Sequence, residues 1–233
     1  MLPDTRHLEW LPSYRLIPSR FPPVSVFDRV TDPADLDAVF YVENLTNPRL
    51  RQEAGNLSLV PVEERVSGPG TMPIMAAFTH LDPEGSRFSD GSYGVYYVAR
   101  SLHTAIAETR HSRARFLART HEGPMEIDMR TYLTNVSAEL HDIRSHGNPG
   151  DLTDIYHPDS YAAGQVLGRE MKAINAWGIA YDSVRHRGGE CVAVFRPRAL
   201  SHCRQGPHFR YVWNGTEISA VLAVSLYQQG QAG

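Results

Sequence analysis

Residues 87–108 read Arg87-Phe88-Ser89-Asp90-Gly91-Ser92-Tyr93-Gly94-Val95-Tyr96-Tyr97-Val98-Ala99-Arg100-Ser101-Leu102-His103-Thr104-Ala105-Ile106-Ala107-Glu108. The stretch divides into a loop, a strand and a helix. Val95 to Ala99 is compact, aromatic and β-branched, which predicts a central strand. Ser101 stands where a hydroxyl caps a following helix. Leu102, Ala105, Ile106, Thr109 and Phe116 fall on one face of that helix. Glu108 sits at the edge of the face, so its carboxylate is expected to project from a packed helix into a neighbouring cleft.

Working outward toward the N-terminus, Ile74 to His80 reads as a strand and Ser67 to Pro73 as a loop. Asp32-Pro33 introduces a helical pattern with Leu36, Val39 and Phe40 on one face, ending before Asn47-Pro48, and a shorter helix is expected from Arg49 to Gly55. In the proline- and aromatic-rich segment Met1 to Pro23, Tyr14-Arg15-Leu16-Ile17 is the best short strand. Toward the C-terminus, Glu126 to Tyr132 is a strand candidate, and His141 to Asp159 is polar and broken by glycine and proline. Ser160 is placed to cap a helix running to about Trp177, with Val166, Leu167, Met171 and Ile174 as its apolar stripe. Ile179 to Val184 and Cys191 to Phe195 suggest paired strands around Gly188-Gly189. Phe209 to Trp213 and Glu217 to Leu226 suggest a hairpin closed by a tight primed turn at Asn214-Gly215. Gln228 to Gly233 reads as a loose tail. Strands and helices mixed in this way, ending in an antiparallel hairpin, favour α+β over a regular βαβ sheet.

A chain of 233 residues, 42% hydrophobic and 21% charged, is long enough to bury a real core, and one domain is preferred over two. A net charge of -3 supplies no global attraction to nucleic acid or to an anionic membrane. Cys191 and Cys203 make neither a disulfide framework nor a paired zinc motif. With no leader pattern and no apolar run of spanning length, the expected location is cytoplasmic. His141, Asp142, His146, Asp151, Asp154 and His157 lack a standard metal-ligand spacing and read as a polar loop. Gly164 and Gly168 do not form a phosphate-binding glycine loop after a strand, so neither a Rossmann nor a P-loop reading is supported.

The leading stretch also carries candidate chemistry. The several donors of Arg87 suit phosphate oxygens, such as the pyrophosphate of a dinucleotide. The ring of Tyr97 can stack on or wall a planar group. The carboxylate of Glu108 can stabilise positive charge that develops when a glycosidic bond breaks. Taken singly, each has an ordinary explanation: a solvated loop arginine, an amphipathic core tyrosine, and an exposed helix acid paired with Arg110 to Arg115. The basic series Arg110, Arg113, Arg115 and Arg119 reads as a solvated helix face. A non-enzymatic module that binds nucleic acid or protein through this series is the reading from another functional class, though the charge balance makes nucleic acid alone a poor fit.

Together with Gly178-Ile179-Ala180-Tyr181-Asp182-Ser183-Val184-Arg185, the leading stretch resembles the RES family of bacterial toxins, named for an arginine, a glutamate and a serine. The resemblance covers about Thr71 to Arg196, and Tyr14-Arg15 aligns with the family's early strand arginine. The chain departs from the family at Ser89, where an asparagine is common, and in a longer segment between Arg15 and Arg87. The resemblance implies a single RES-type domain over 1–233, with its core at about 71–196 and an N-terminal extension or insertion at about 16–70. It implies an ADP-ribosyltransferase-like α+β fold whose twisted sheets, flanked by helices, form an NAD cleft. The implied activity is cleavage of the nicotinamide–ribose bond of NAD, with water (glycohydrolase) or inorganic phosphate (phosphorylase) as acceptor and no metal. Arg87, Tyr97, Glu108 and Ser183 would be catalytic, and Arg15, Arg87, Tyr97 and Ser183 would bind NAD. Ser183 would position substrate and not act as a nucleophile, because no serine triad or nucleophile elbow surrounds it. A cognate Xre-like antitoxin is the implied partner, and a homo-oligomer is compatible with the resemblance. Mono-ADP-ribosyl transfer to a protein is the nearest competing activity. Many arginine-directed transferases carry a second acid two positions before the catalytic glutamate; Ile106 occupies that position here, which favours small acceptors.

Overall fold

The computed structural model describes residues 2–18, 55–145 and 152–225. Side-chain alternation along three short strands explains its layering. In β5 (Glu190–Val194), Val192 and Val194 join an apolar cluster with Tyr96 and Val98 of β2 (Tyr96–Ala99) and with Ala180 of β4 (Gly178–Asp182). Cys191 and Ala193 turn the other way, toward a second cluster that holds Ala99, Ile179 and Tyr181. Strands with both faces packed read as uninterrupted apolar runs, which is why these three were legible.

The remaining strands are β1 (Thr5–Pro18), β3 (Met125–Asp142), β6 (Leu200–Trp213) and β7 (Ile218–Val224). Hydrogen bonding runs in the order β1-β2-β5-β4-β3-β6-β7, and β1 also pairs with β3, so the ladder closes on itself. β1 lies antiparallel to β3 from Thr5 opposite His141 to Pro18 opposite Met129, and meets β2 where Tyr14 faces Ala99. β3 joins β4 in parallel at His141 and Asp142 alone. Two mostly antiparallel layers therefore meet at narrow seams. Among the described residues three α-helices pack around them: α1 (Met72–Thr79), α2 (Leu102–Arg119) and α3 (Ala162–Ala173). The expected α+β class holds. Among the described residues no helix is long and apolar enough to cross a membrane.

Several expectations need correction. Ile74 to His80 is helical: it belongs to α1, where Pro73 sits in the first turn and Met72, Ile74, Met75, Phe78 and Thr79 are buried. A short apolar run without alternation does not separate strand from buried helix. β1 starts at Thr5, well before Tyr14. It passes Leu11-Pro12 through a register shift between Trp10 and Ser13, which accommodates a residue with no N–H to donate. β3 extends ten residues past Tyr132 to Asp142, because buried Val136, Ala138 and Leu140 continue its alternation through polar neighbours. His141 and Asp142 thus belong to a strand, not to the polar loop.

On α2 it is Leu117 that is buried, while Phe116 is 42% exposed. α3 is preceded by Tyr161 without a side-chain cap, so Ser160 does not cap it, and it ends at Ala173, short of Trp177. Its buried face is Gly164, Leu167, Gly168 and Met171, whereas Val166 and Ile174 are exposed. The last hairpin turns through four residues, 214–217, instead of a two-residue primed turn. Oδ1 of Asn214 accepts from the backbone N–H of Thr216 and Glu217, and Gly215 alone takes a positive φ, at 100°. The helices expected after Asp32 and Arg49, Gly55 excepted, and the tail from Gln228 lie outside the described residues.

Candidate active site

The loop before β2 is held from two sides. From below, the phenolic oxygen of Tyr97 accepts the N–H of Phe88 at 3.0 Å and shares a hydrogen bond with Ser86 Oγ at 2.7 Å. From above, α3 approaches so closely that a Cβ on Gly164 would meet the Arg87 carbonyl oxygen at 2.4 Å, and one on Gly168 the Phe88 carbonyl oxygen at 2.1 Å. Gln165 Nε2 donates to the carbonyls of Ser86 and Ser89 between them. The glycine pair that forms no phosphate loop is thus what lets a helix lie directly on the backbone that carries Arg87.

Arg87 is 9% exposed, and one of its terminal nitrogens donates to the carbonyls of Ile155 at 2.7 Å and His157 at 3.1 Å. Its guanidinium lies 4.9 Å from the centre of the Tyr161 ring, and Arg115 of α2 lies 4.9 Å from the same ring. Arg15 enters from β1, donating to the Tyr97 carbonyl at 3.1 Å with its guanidinium 4.5 Å over the Tyr96 ring. Burial draws its pKa below the ordinary arginine value. Burial likewise raises the Tyr97 phenol to about 12, so it is neutral at physiological pH and can donate to Ser86 while accepting from Phe88.

Glu108 reaches the site from α2, whose first turn is capped by Ser101 Oγ accepting from Thr104 N–H at 3.2 Å. Ser183 Oγ donates to Glu108 Oε1 at 2.6 Å. Ser183 is not on a strand as expected; it follows Asp182, where β4 ends. Its Oγ accepts the N–H groups of Arg185 at 3.1 Å and His186 at 3.0 Å, which orients its proton toward the carboxylate. The same loop is fastened to α2 twice more, by Arg185 to His111 Nε2 at 2.8 Å and by His186 to Thr104 Oγ1 at 2.9 Å. Burial, and then the Arg185 charge, hold the His111 imidazole below its usual pKa.

These elements enclose a cavity of about 540 Å³ whose walls include Arg15, Arg87, Tyr97, Glu108, Tyr161 and Tyr181. Ser183 stands behind Glu108 and off that wall. Of the five residues singled out from the sequence, four therefore share one cavity and the fifth holds one of the four. The sequence reading missed Tyr161 and the arginine row. Arg113, Arg115 and Arg119 line the cavity, Arg115 and Arg119 staying exposed as on a solvated face, while Arg110 donates to the Ile218 carbonyl. Heptad-like spacing from Glu108 to Arg115 was the available signal, since positions seven apart share a helix face. Among the described residues no three His, Cys, Asp or Glu side chains gather as they would around a metal ion.

Comparison with known proteins bears on this geometry. Residues 63–214 match the sequence model of a family described as RES domain. That span holds Arg87, Tyr97, Glu108 and Ser183 and leaves Arg15 outside. The chain is 38% identical over 210 residues to the uncharacterized protein y4oC of Sinorhizobium fredii (strain NBRC 101917 / NGR234), covering 90% of this chain and 86% of that protein. Among solved structures, it aligns with a chain in the crystal structure of the M. tuberculosis MbcT-MbcA toxin-antitoxin complex. That alignment has a TM-score of 0.43 and 12% identity, over 91% of this chain and 87% of the other.

Proposed function

This chain belongs to the RES domain family, and from that premise we propose that it is a toxin that breaks the nicotinamide–ribose bond of NAD in the cavity beside Glu108. The observation that carries the reading is a carboxylate on the wall of a cavity lined by arginines, fixed by a 2.6 Å hydrogen bond from Ser183. Arg15 and Arg87 hold the pyrophosphate, and Tyr97 walls the nicotinamide end while its hydroxyl keeps the Arg87 loop in place. Departure of nicotinamide takes the bonding electron pair onto the ring nitrogen and leaves an oxocarbenium-like ribose. Glu108 stabilises that charge, more strongly in a cavity than in water. An oxygen of water or inorganic phosphate then bonds to the anomeric carbon, and its proton leaves to solvent. Ser183 is a positioning residue: its hydroxyl restricts the Glu108 carboxylate without touching substrate. Small acceptors are favoured over a protein side chain, because the position two before Glu108 is Ile106, packed against the second apolar cluster, where many transferases present an acid.

The biological partner is a cognate antitoxin of Xre type, and the site of action is the cytoplasm. Incubating the purified chain with NAD, with and without phosphate, and weighing the products by mass spectrometry tests the activity. Free ADP-ribose indicates hydrolysis, a phosphorylated ADP-ribose indicates phosphorolysis, and a heavier protein indicates transfer. Intact NAD under both conditions overturns the proposal.

A further inference from the structure

Tyr161 stands immediately before α3 and lines the cavity, and its place follows from the helix it precedes. Its carbonyl accepts the N–H of Gln165 at 2.8 Å, so Tyr161, Gly164 and Gln165 lie on one face of the opening turn. All three meet the same loop. A Cβ added to Gly164 would lie 3.3 Å from Cγ of Arg87, Gln165 donates to the carbonyls of Ser86 and Ser89, and the Arg87 guanidinium is 4.9 Å over the Tyr161 ring. The chain leading into Tyr161 adds two more holds on that side chain, because Nη1 of Arg87 donates to the carbonyls of Ile155 and His157. Between those carbonyls and the ring lies a turn in which His157 Nδ1 accepts the N–H groups of Asp159 and Ser160, at 3.1 Å and 2.9 Å.

Arg87 is thereby gripped at Nη1 and set over an aromatic ring, while among the described residues its Nε and Nη2 make no hydrogen bond. Those two nitrogens share one edge of the planar fork, the edge that meets two oxygens of a phosphate at once. Arg115 reaches the same ring, also at 4.9 Å, but it is exposed, where water weakens the attraction; the contact with buried Arg87 is the one that desolvation strengthens. The Tyr161 hydroxyl makes no hydrogen bond among the described residues, which leaves the ring as the working part. We propose that Tyr161 is a positioning residue for substrate binding: its ring holds the Arg87 guanidinium so that the Nε–Nη2 edge meets the pyrophosphate as one bidentate contact. The inference rests on the dinucleotide reading of the cavity and deepens it.

The test is a double-mutant cycle on the full chain that combines Tyr161→Leu with Arg87→Gln, with Tyr161→Phe beside it. Each protein is titrated calorimetrically with NAD and, separately, with inorganic pyrophosphate, and its nicotinamide release and urea midpoint are measured. Loss of the ring should weaken NAD binding and raise KM about tenfold with kcat within about twofold, since the contact is made equally in the ground and transition states. Tyr161→Phe should recover most of what Tyr161→Leu loses. In the Arg87→Gln background, Tyr161→Leu should cost less than about threefold further, because no guanidinium remains to be held. Equal losses with either residue at position 87 overturn the proposal, as does a lowered urea midpoint with unchanged affinity. Tyr161→Phe binding as weakly as Tyr161→Leu also overturns it, by moving the role to the hydroxyl. Nicotinamide release separates the two levels of inference. Coupled binding of NAD or pyrophosphate without release removes the cleavage reading and leaves Tyr161 in its role. Release that responds additively to the two substitutions removes the positioning role alone, and a wild type that binds neither ligand overturns both.

Discussion

Glu108 and Ser183 form the shortest side-chain contact between α2 and the β4–β5 loop that reaches the cavity, and the two residues separate by experiment. Glu108→Gln keeps size and hydrogen-bonding reach but loses the charge, so nicotinamide release should fall about a hundredfold while NAD affinity changes less. A folded variant that turns over at the wild-type rate would remove Glu108 from the mechanism. Ser183→Ala leaves the carboxylate in place but unrestrained; kcat should drop by about tenfold with KM little altered, and Ser183→Thr should restore most of it. A matched rise in KM would instead make Ser183 a substrate contact. Tyr97 has two jobs, a ring on the cavity wall and a hydroxyl that holds the loop of Arg87. Activity should therefore fall in the order wild type, Tyr97→Phe, Tyr97→Ala. Equal activity of Tyr97→Phe and wild type would show that the loop needs no help from the hydroxyl.

At the scale of elements, placement of Arg87 depends on α3 touching its backbone. Gly168→Ala would put a methyl group 2.1 Å from the Phe88 carbonyl oxygen, so helix and loop must part. A loss of about 1–3 kcal/mol in stability, with impaired NAD use, is expected; unchanged denaturant midpoint and kinetics would count against the close packing. The loop carrying Ser183 depends in turn on neutral His111, which accepts from Arg185. Its lowered pKa means that the unfolded chain takes up this proton first as pH falls. The group's contribution to stability is therefore present above 6.5 and lost as pH drops below that value toward the depressed one. Thermal unfolding followed from about pH 7.5 down to about pH 5.5 should show a smaller decline in His111→Gln than in the wild type. An identical decline would place the pH response elsewhere.

For the whole molecule, β1 is the closing piece, pairing with β3 along its length and with β2 at Tyr14. Trp10 from this strand is buried in the cluster that also takes in Tyr96 and Val194. Trp10→Ala should cost about 3–5 kcal/mol, read as a lower urea midpoint at unchanged slope. A small cost would mean that the two layers hold together without this seam. Because β1 also delivers Arg15, the closure that stabilises the layers is the same one that completes the cavity.

Local pattern determined a good deal of this protein. The apolar strands at Tyr96 to Ala99 and Cys191 to Val194, the cap at Ser101 and the position of Glu108 on its helix are set by interactions within a few residues, and they came out as read. Arg87, Tyr97, Glu108 and Ser183 were legible as a set because their order and residue types follow a family pattern. Contacts distant in sequence decided the rest. Whether Ile74 to Thr79 is strand or helix depends on what covers it, since a fully apolar run satisfies both periods. Whether Arg113 and Arg115 border a cavity or open surface depends on which side of α2 its neighbours in the fold leave open. Ser183 comes to hydrogen-bond Glu108 because a strand ends at Asp182 and a helix passes within hydrogen-bonding reach. Short-range periodicity can place a side chain on a face, but only tertiary packing selects what that face meets.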